Sequence, residues 1–136
     1  MITKEQRTEI VRYWWLKARD SLASARREFE AGSHSFAVNR LYYAAFYGVC
    51  AVFLERQQSF RKHSGVRAAF HRQFIKTGLL DIKWGRLYDQ LFEDRQEGDY
   101  VVFISYEPEY VLFQLNQCSA FLNELRTLLS LLEEPK

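Results

Sequence analysis

Between Arg40 and Glu55 lies an uncharged run of 14 residues, Leu41 to Leu54. Within it Tyr43, Tyr47, Cys50 and Leu54 form one stripe at helical spacing, and Tyr42, Phe46, Val49 and Phe53 form a second beside it. A helix that is apolar nearly all round has no face to offer water. It is the central member of a bundle, or it buries its second face against another subunit. The uncharged run falls short of the ~20 residues that span a bilayer, so it reads as a core helix rather than a membrane segment. Any fold for this chain is built around this helix, which is expected over about residues 35–57.

The remaining segments supply its cover. A first helix is expected from about Lys4 to Ala31, with Thr3 and Gln6 at capping-box spacing and Gly32 as its stop. Its stripe of Val11, Trp15, Ala18, Leu22, Ala25 and Phe29 alternates steps of four and three, which leaves one narrow seam for the core. A third helix, about Ser64 to Lys76, has Ser64 as its expected N-cap, carries Val66, Phe70 and Phe74, and stops at Gly78. A fourth runs from about Ile82 to Glu97 along Trp84, Leu87, Tyr88, Leu91 and Phe92. A fifth begins at Pro108, and its stripe continues from Val111 to Leu132. Nothing reads as strand and no linker divides the chain. The expected fold is all-α: one domain over residues 1–136, an up-and-down antiparallel bundle of four to five helices.

Charge is distributed unevenly. The formal balance is +2, yet no acidic residue occurs from Arg56 to Leu80, where Arg56, Arg61, Lys62, Arg67, Arg72 and Lys76 contribute +6 and leave −4 elsewhere. A basic block beside Tyr and Phe is what phosphate binding with base stacking requires; the plainer readings are a solvated helix face or a surface for an acidic protein. Cys50 and Cys118 lie inside apolar helical patterns and read as core residues of a reducing compartment. No metal site is spelled out, since His34, His63 and His71 have no Cys or His at ligand spacing. The N-terminus is polar from its third residue, which argues against a secretory signal and makes the cytoplasm the expected location.

The segment Arg95-Gln96-Glu97-Gly98-Asp99-Tyr100 closes the fourth helix with ionisable and phenolic side chains. Arg95 continues the buried face and needs an anion, a carbonyl or water. Asp99, one turn on, is its expected internal partner. If the first four helices run up and down, the end of the second, the start of the third and the end of the fourth share one pole. That pole would unite Arg61, Lys62 and His63 with Arg95, Asp99 and Tyr100. Arg40, near the opposite pole, reads as a buried structural arginine with Glu28 or Asp81 as its ion partner.

The strings Asn39-Arg40-Leu41-Tyr42-Tyr43-Ala44-Ala45-Phe46-Tyr47, Lys62-His63-Ser64-Gly65-Val66 and Arg95-Gln96-Glu97-Gly98-Asp99-Tyr100 occur in that order. In them the chain resembles the HEPN family of small helical domains, in particular the stand-alone prokaryotic branch encoded beside a minimal nucleotidyltransferase. The resemblance implies a homodimer, a nucleotidyltransferase partner, and a nucleic-acid or nucleotide-related function within a toxin–antitoxin-like system. It also implies a metal-independent, cofactor-free endoribonuclease chemistry. In that chemistry an arginine near the end of the fourth helix holds phosphate charge, and a histidine that follows after four to six intervening residues moves the proton of a ribose 2′-OH.

The sequence departs from that motif, because the positions where the histidine should follow Arg95 hold Tyr100, Val101 and Val102. Arg56 and His63 have the formal spacing but lie in the wrong place. His63 is instead the candidate substitute, facing Arg95 within one chain or across a dimer. The candidate catalytic set is Arg95, Asp99 and His63, and the candidate nucleic-acid-binding set is Arg61, Lys62, Arg67 and Tyr100. Two functions follow: a subunit that dimerises and binds a nucleotidyltransferase and RNA, or an endoribonuclease toxin using Arg95 with His63 or Asp99. A third reading has the basic pole hold a nucleoside triphosphate.

Overall fold

Thr3 and Gln6 close the expected capping box: the Thr3 hydroxyl accepts from the Gln6 N–H at 3.0 Å, and the Thr3 N–H donates to Gln6 Oε1 at 2.8 Å. From there the computed structural model, which describes residues 1–100 and 105–132 with only the backbone at 98–100, is helical almost throughout. Five α-helices follow: α1 Lys4–Glu30, α2 His34–Glu55, α3 His63–Phe70, α4 Ile82–Tyr100 and α5 Pro108–Arg126. A π-helical turn, His71–Ile75, extends α3. The fold is the all-α bundle expected, and no strand occurs among the described residues.

α1 ends where Gly32 takes φ +80° and the Ser33 N–H reaches back to the Glu28 carbonyl at 2.8 Å. α2 ends in the same way, through the Gln58 N–H on the Phe53 carbonyl at 2.9 Å, with Gln57 rather than glycine at φ +63°. The third expected helix begins one residue early. His63 is its first residue and Lys62 the extended residue before it, so the exposed Ser64 lies within the helix and is not its N-cap. α5 stops at Arg126 although Leu129 and Leu132 remain buried. The tail turns across the end of α2, where Glu55 accepts from the Ser130 and Leu131 N–H groups and Arg126 donates to the Leu129 and Leu132 carbonyls.

α2 is the central helix. By length and composition it could cross a membrane, but 67% of its apolar window is buried inside the bundle. α1 packs antiparallel to it, with Phe29 beside His34 and Trp14 beside Tyr47. α5 runs parallel to it: Val111 packs on Ala37 and Val38, and Cys118 reaches the Leu41 carbonyl. α4 is antiparallel to α5, with Trp84 against Phe121 and Tyr110 bonded to Asp94. The four long legs are therefore α1, α2, α4 and α5, not the first four helices in order.

α3 lies over the α2–α4 face. The chain doubles back along α2 through residues 56–62, anchored by Phe60 edge-on to Phe53 at 5.0 Å. It re-enters helix at His63 beside Tyr42 and Phe46, at the middle of α2 rather than at its end. Seven residues at about 3.3 Å each cover the distance of roughly 16 Å back along the helix. Arg40 is exposed and donates to Asn39 Oδ1 at 3.3 Å, so it is not a buried arginine, and among the described residues no ion pair joins it to Glu28 or Asp81. Its carbonyl accepts from the Ser21 hydroxyl of α1 at 2.7 Å, while the residue itself stays open to solvent.

Phe121 is fully buried between Phe70 and Trp84. Phe121→Ala is expected to lower stability by about 3–5 kcal/mol, read as an earlier urea midpoint at unchanged slope.

Candidate functional site

Two tyrosines of α2 organise the site. Tyr42 and Tyr43 are adjacent in sequence and so point about 100° apart, one inward and one toward the helix flank. Tyr42 is fully buried and Tyr43 half-buried. A buried phenol brings a hydroxyl that must be partnered. The Tyr42 hydroxyl lies 2.8 Å from His63 Nδ1, and the Tyr43 hydroxyl accepts from an Arg95 Nη at 3.1 Å. The Arg95 guanidinium rests over both rings, 4.9 Å from the Tyr42 centroid and 5.6 Å from that of Tyr43. His63 from α3 and Arg95 from α4 thus meet on one patch of α2, as the sequence suggested, but on the helix flank and by a different chain path.

His63 is held on several sides. Its ring stacks on Phe46 at 4.1 Å with planes 12° apart, and Tyr43 meets it edge-on at 5.9 Å. Burial, then the Arg95 charge, push its pKa below the ordinary histidine value. His63 is therefore neutral at pH 7, a base rather than an imidazolium. Burial pushes the Tyr42 phenol up to about 12, against the opposing pull of Arg95, so this hydroxyl keeps its proton. Among the described residues no hydrogen bond reaches His63 Nε2, and the ring is half-exposed. The arrangement offers a fixed, neutral imidazole beside a fixed permanent cation.

A second polar group lies further along the α3–α4 seam. Asp89 Oδ1 accepts from Arg67 Nε at 2.8 Å and lies 2.8 Å from His71 Nε2. Arg67 also covers Phe92 at 4.5 Å, and Phe92 is edge-on to Tyr42 at 5.7 Å. α4 passes close to the π-helical turn because residue 85 is glycine: a Cβ there would lie 3.0 Å from His71 Cε1. On the other side of α4 the buried Asp94 accepts from Tyr110 and from Gln90 at 2.8 Å, while the Tyr106 hydroxyl donates to the Asp94 carbonyl at 2.7 Å. These bonds fix the turn of α4 that carries Arg95.

Of the sequence candidates, Arg95, His63 and Arg67 come together around Tyr42 and Phe92. Arg61 and Lys62 are exposed just before His63. The side chains of Asp99 and Tyr100 lie outside the described residues, so the Arg95–Asp99 pair is outside them too. Sequence reasoning placed Tyr42, Tyr43 and Phe46 in the core and missed their part in the site; the signal was two hydroxyls on an otherwise apolar helix. Cys50 and Cys118, both pushed up to about 12 by burial, are unreactive thiols. Among the described residues no group of three His, Cys, Asp or Glu could hold a metal ion.

Residues 11–132 match the HEPN domain family. The chain is 39% identical over 124 residues to a UPF0332 protein of Thermotoga maritima, covering 91% of this chain and 94% of that one. It is 34% identical over 110 residues to a protein of Methanocaldococcus jannaschii named "Putative toxin", covering 81% and 75% of the two chains. A second protein of that organism with the same designation is 31% identical over 83 residues, 61% of this chain and 62% of its own.

Replacing Arg95 with methionine removes a positive charge beside His63, so the His63 pKa should rise toward 6.5. An NMR titration of the His63 Cε1 proton in Arg95→Met and wild type checks the direction. With the folded pKa below the unfolded one, the unfolded chain binds the extra proton. Folding stability is then expected to fall as pH drops from about 6.5 through the folded value, and to stay level above about 6.5.

Proposed function

The chain belongs to the HEPN family, and on that premise we propose that it is a toxin-like HEPN protein that cleaves RNA without a metal, using His63 and Arg95. The observation that carries this reading is the convergence of those two side chains, 32 positions apart in sequence, on Tyr42 and Tyr43. The family chemistry needs a base for the ribose 2′-OH and a cation for the phosphate. His63 is neutral, and in the tautomer that carries its hydrogen on Nδ1, toward the Tyr42 oxygen, Nε2 is the lone pair that accepts that proton. The 2′-oxygen attacks the adjacent phosphorus, the bond to the 5′-oxygen breaks, and the leaving oxygen takes a proton from the imidazolium or from water. Arg95 stabilises the charge that builds on the phosphoryl oxygens. Tyr42 holds the imidazole by Nδ1, a positioning task. Arg61 and Lys62, exposed beside His63, would hold neighbouring phosphates.

The same reading places the protein in the cytoplasm as a homodimer with a nucleotidyltransferase partner. Support for partners comes from large apolar side chains left outside the bundle, Phe36 at 65% exposed and Phe113 at 59%. A subunit that only binds RNA and its partner is the alternative, and the assay separates the two.

Purified protein is expected to cleave an end-labelled RNA in EDTA. His63→Ala should slow the reaction about 10²–10⁴-fold and Arg95→Ala about 10²–10³-fold. Wild type that leaves the RNA intact would point to the binding subunit instead.

A further inference from the structure

We infer that the aromatic row Tyr13, Trp14, Tyr47 and Tyr43 is a track for single-stranded RNA, along which bases stack on their way to the Arg95–His63 site; the inference rests on the RNA reading above. The row is continuous. Tyr13 meets Trp14 at 6.2 Å, Trp14 meets Tyr47 at 5.6 Å, Tyr47 meets Tyr43 at 5.6 Å, and Tyr43 meets His63 at 5.9 Å. It crosses from the outer face of α1 to the flank of α2 and ends on the tyrosine that binds Arg95.

Trp14, Tyr43 and Tyr47 pack against the core, yet none of the four rings is sealed within it. Tyr13 is 59% exposed, and Trp14, Tyr43 and Tyr47 are all half-buried. Such rings offer the π-faces on which unpaired bases stack regardless of sequence, and a duplex has no free base faces to give them.

Lys17 decides which partner the row suits. Its ammonium sits 4.5 Å from the Tyr47 centroid, 5.0 Å from Trp14 and 5.4 Å from Tyr13. Among the described residues no carboxylate pairs with it, so three rings hold its charge in place and leave it un-neutralised. A second apolar surface closing over the row would bury that charge unpaired, a costly outcome. A phosphate backbone meets it directly. Cation and aromatic faces together are the composition of a single-strand groove. Glu9, a turn earlier on α1 than Tyr13, lies away from the Arg95 end, and Asp20, a turn beyond Lys17, makes no ion pair with it among the described residues.

The test is fluorescence anisotropy in EDTA with a labelled 2′-O-methyl oligouridine, which lacks the free 2′-OH and cannot be cleaved, alone and as a duplex with its complement. Tyr13→Ala should weaken single-strand binding roughly tenfold, while Tyr13→Phe, which keeps the ring, should bind as wild type does. Lys17→Ala should reduce the slope of log K against log salt by about 0.7. The duplex should bind more weakly and be indifferent to Tyr13→Ala. Wild-type binding that is lost in Arg95→Ala but unchanged in Tyr13→Ala and Lys17→Ala would overturn the track and leave the RNA site standing. Wild type that binds neither probe would overturn the RNA reading, and the track with it. A Tyr13→Ala protein with unchanged RNA affinity but a smaller solution mass would also overturn the track, and would show that a second copy covers this face.

Discussion

A helix that is apolar nearly all round must be covered along most of its surface, and α2 is such a helix. α1, α4 and α5 pack on it as long legs, α3 and the returning segment cover much of what remains, and Phe36, Arg40 and one edge of Tyr43 and Tyr47 stay open to solvent. Apolar burial at about 25 cal/mol per Å² makes this cover the main driving force of the fold. Geometry follows from that demand. The chain must double back after Glu55 because a helix starting at once would leave Tyr42, Phe46 and Phe53 bare on the α3 side, where His63 and Phe74 now stack on Phe46 and Phe53.

The site is a by-product of covering α2 with tyrosines rather than phenylalanines. These two phenols take their partners from the helices that supply the cover: His63 for Tyr42, Arg95 for Tyr43. Arg95 gains from the arrangement as well, since its planar cation lies over two ring faces that attract it. Its own charge then helps to keep His63 neutral. Packing, hydrogen bonding and proton affinity are thus linked through one pair of residues, and a change at either tyrosine alters the histidine's surroundings without touching its ring.

Periodicity made the helices legible, and the capping box at Thr3, the stop at Gly32 and the proline start of α5 fixed three of their ends in local chemistry. Two features were not legible. The turn at Gln57 uses the left-handed region without a glycine to mark it, so the tight end of α2 and the return path beyond it carry no local signal. The shortness of α3 left open which four helices form the long legs. Arg40 misled for a related reason: its place among aromatic residues implied burial, but only tertiary packing decides which turns of a helix are covered. The pairing of His63 with Arg95 survived these differences because it depends on α3 and α4 lying against the same face of α2, whichever pole they approach from.

In the ribonuclease reading proposed above, carrying the histidine on a different helix from the arginine changes what holds the pair together. When both lie near the end of one helix, their separation is set by the helical repeat and by little else. Here it depends on how α3 docks against α4, and the bonds that set this docking are visible: Asp89 ties both Arg67 and His71 to α4, and glycine at 85 lets the π-helical turn approach. On the far side of α4, Asp94 ties the Arg95 turn to α5 through Tyr110. Arg95 is thereby fixed from behind and His63 from along its own helix, so neither needs contact with the other to keep its place. The geometry is preorganised by interactions outside the site, which is the condition under which a fixed cation and a neutral base contribute most to a transition state.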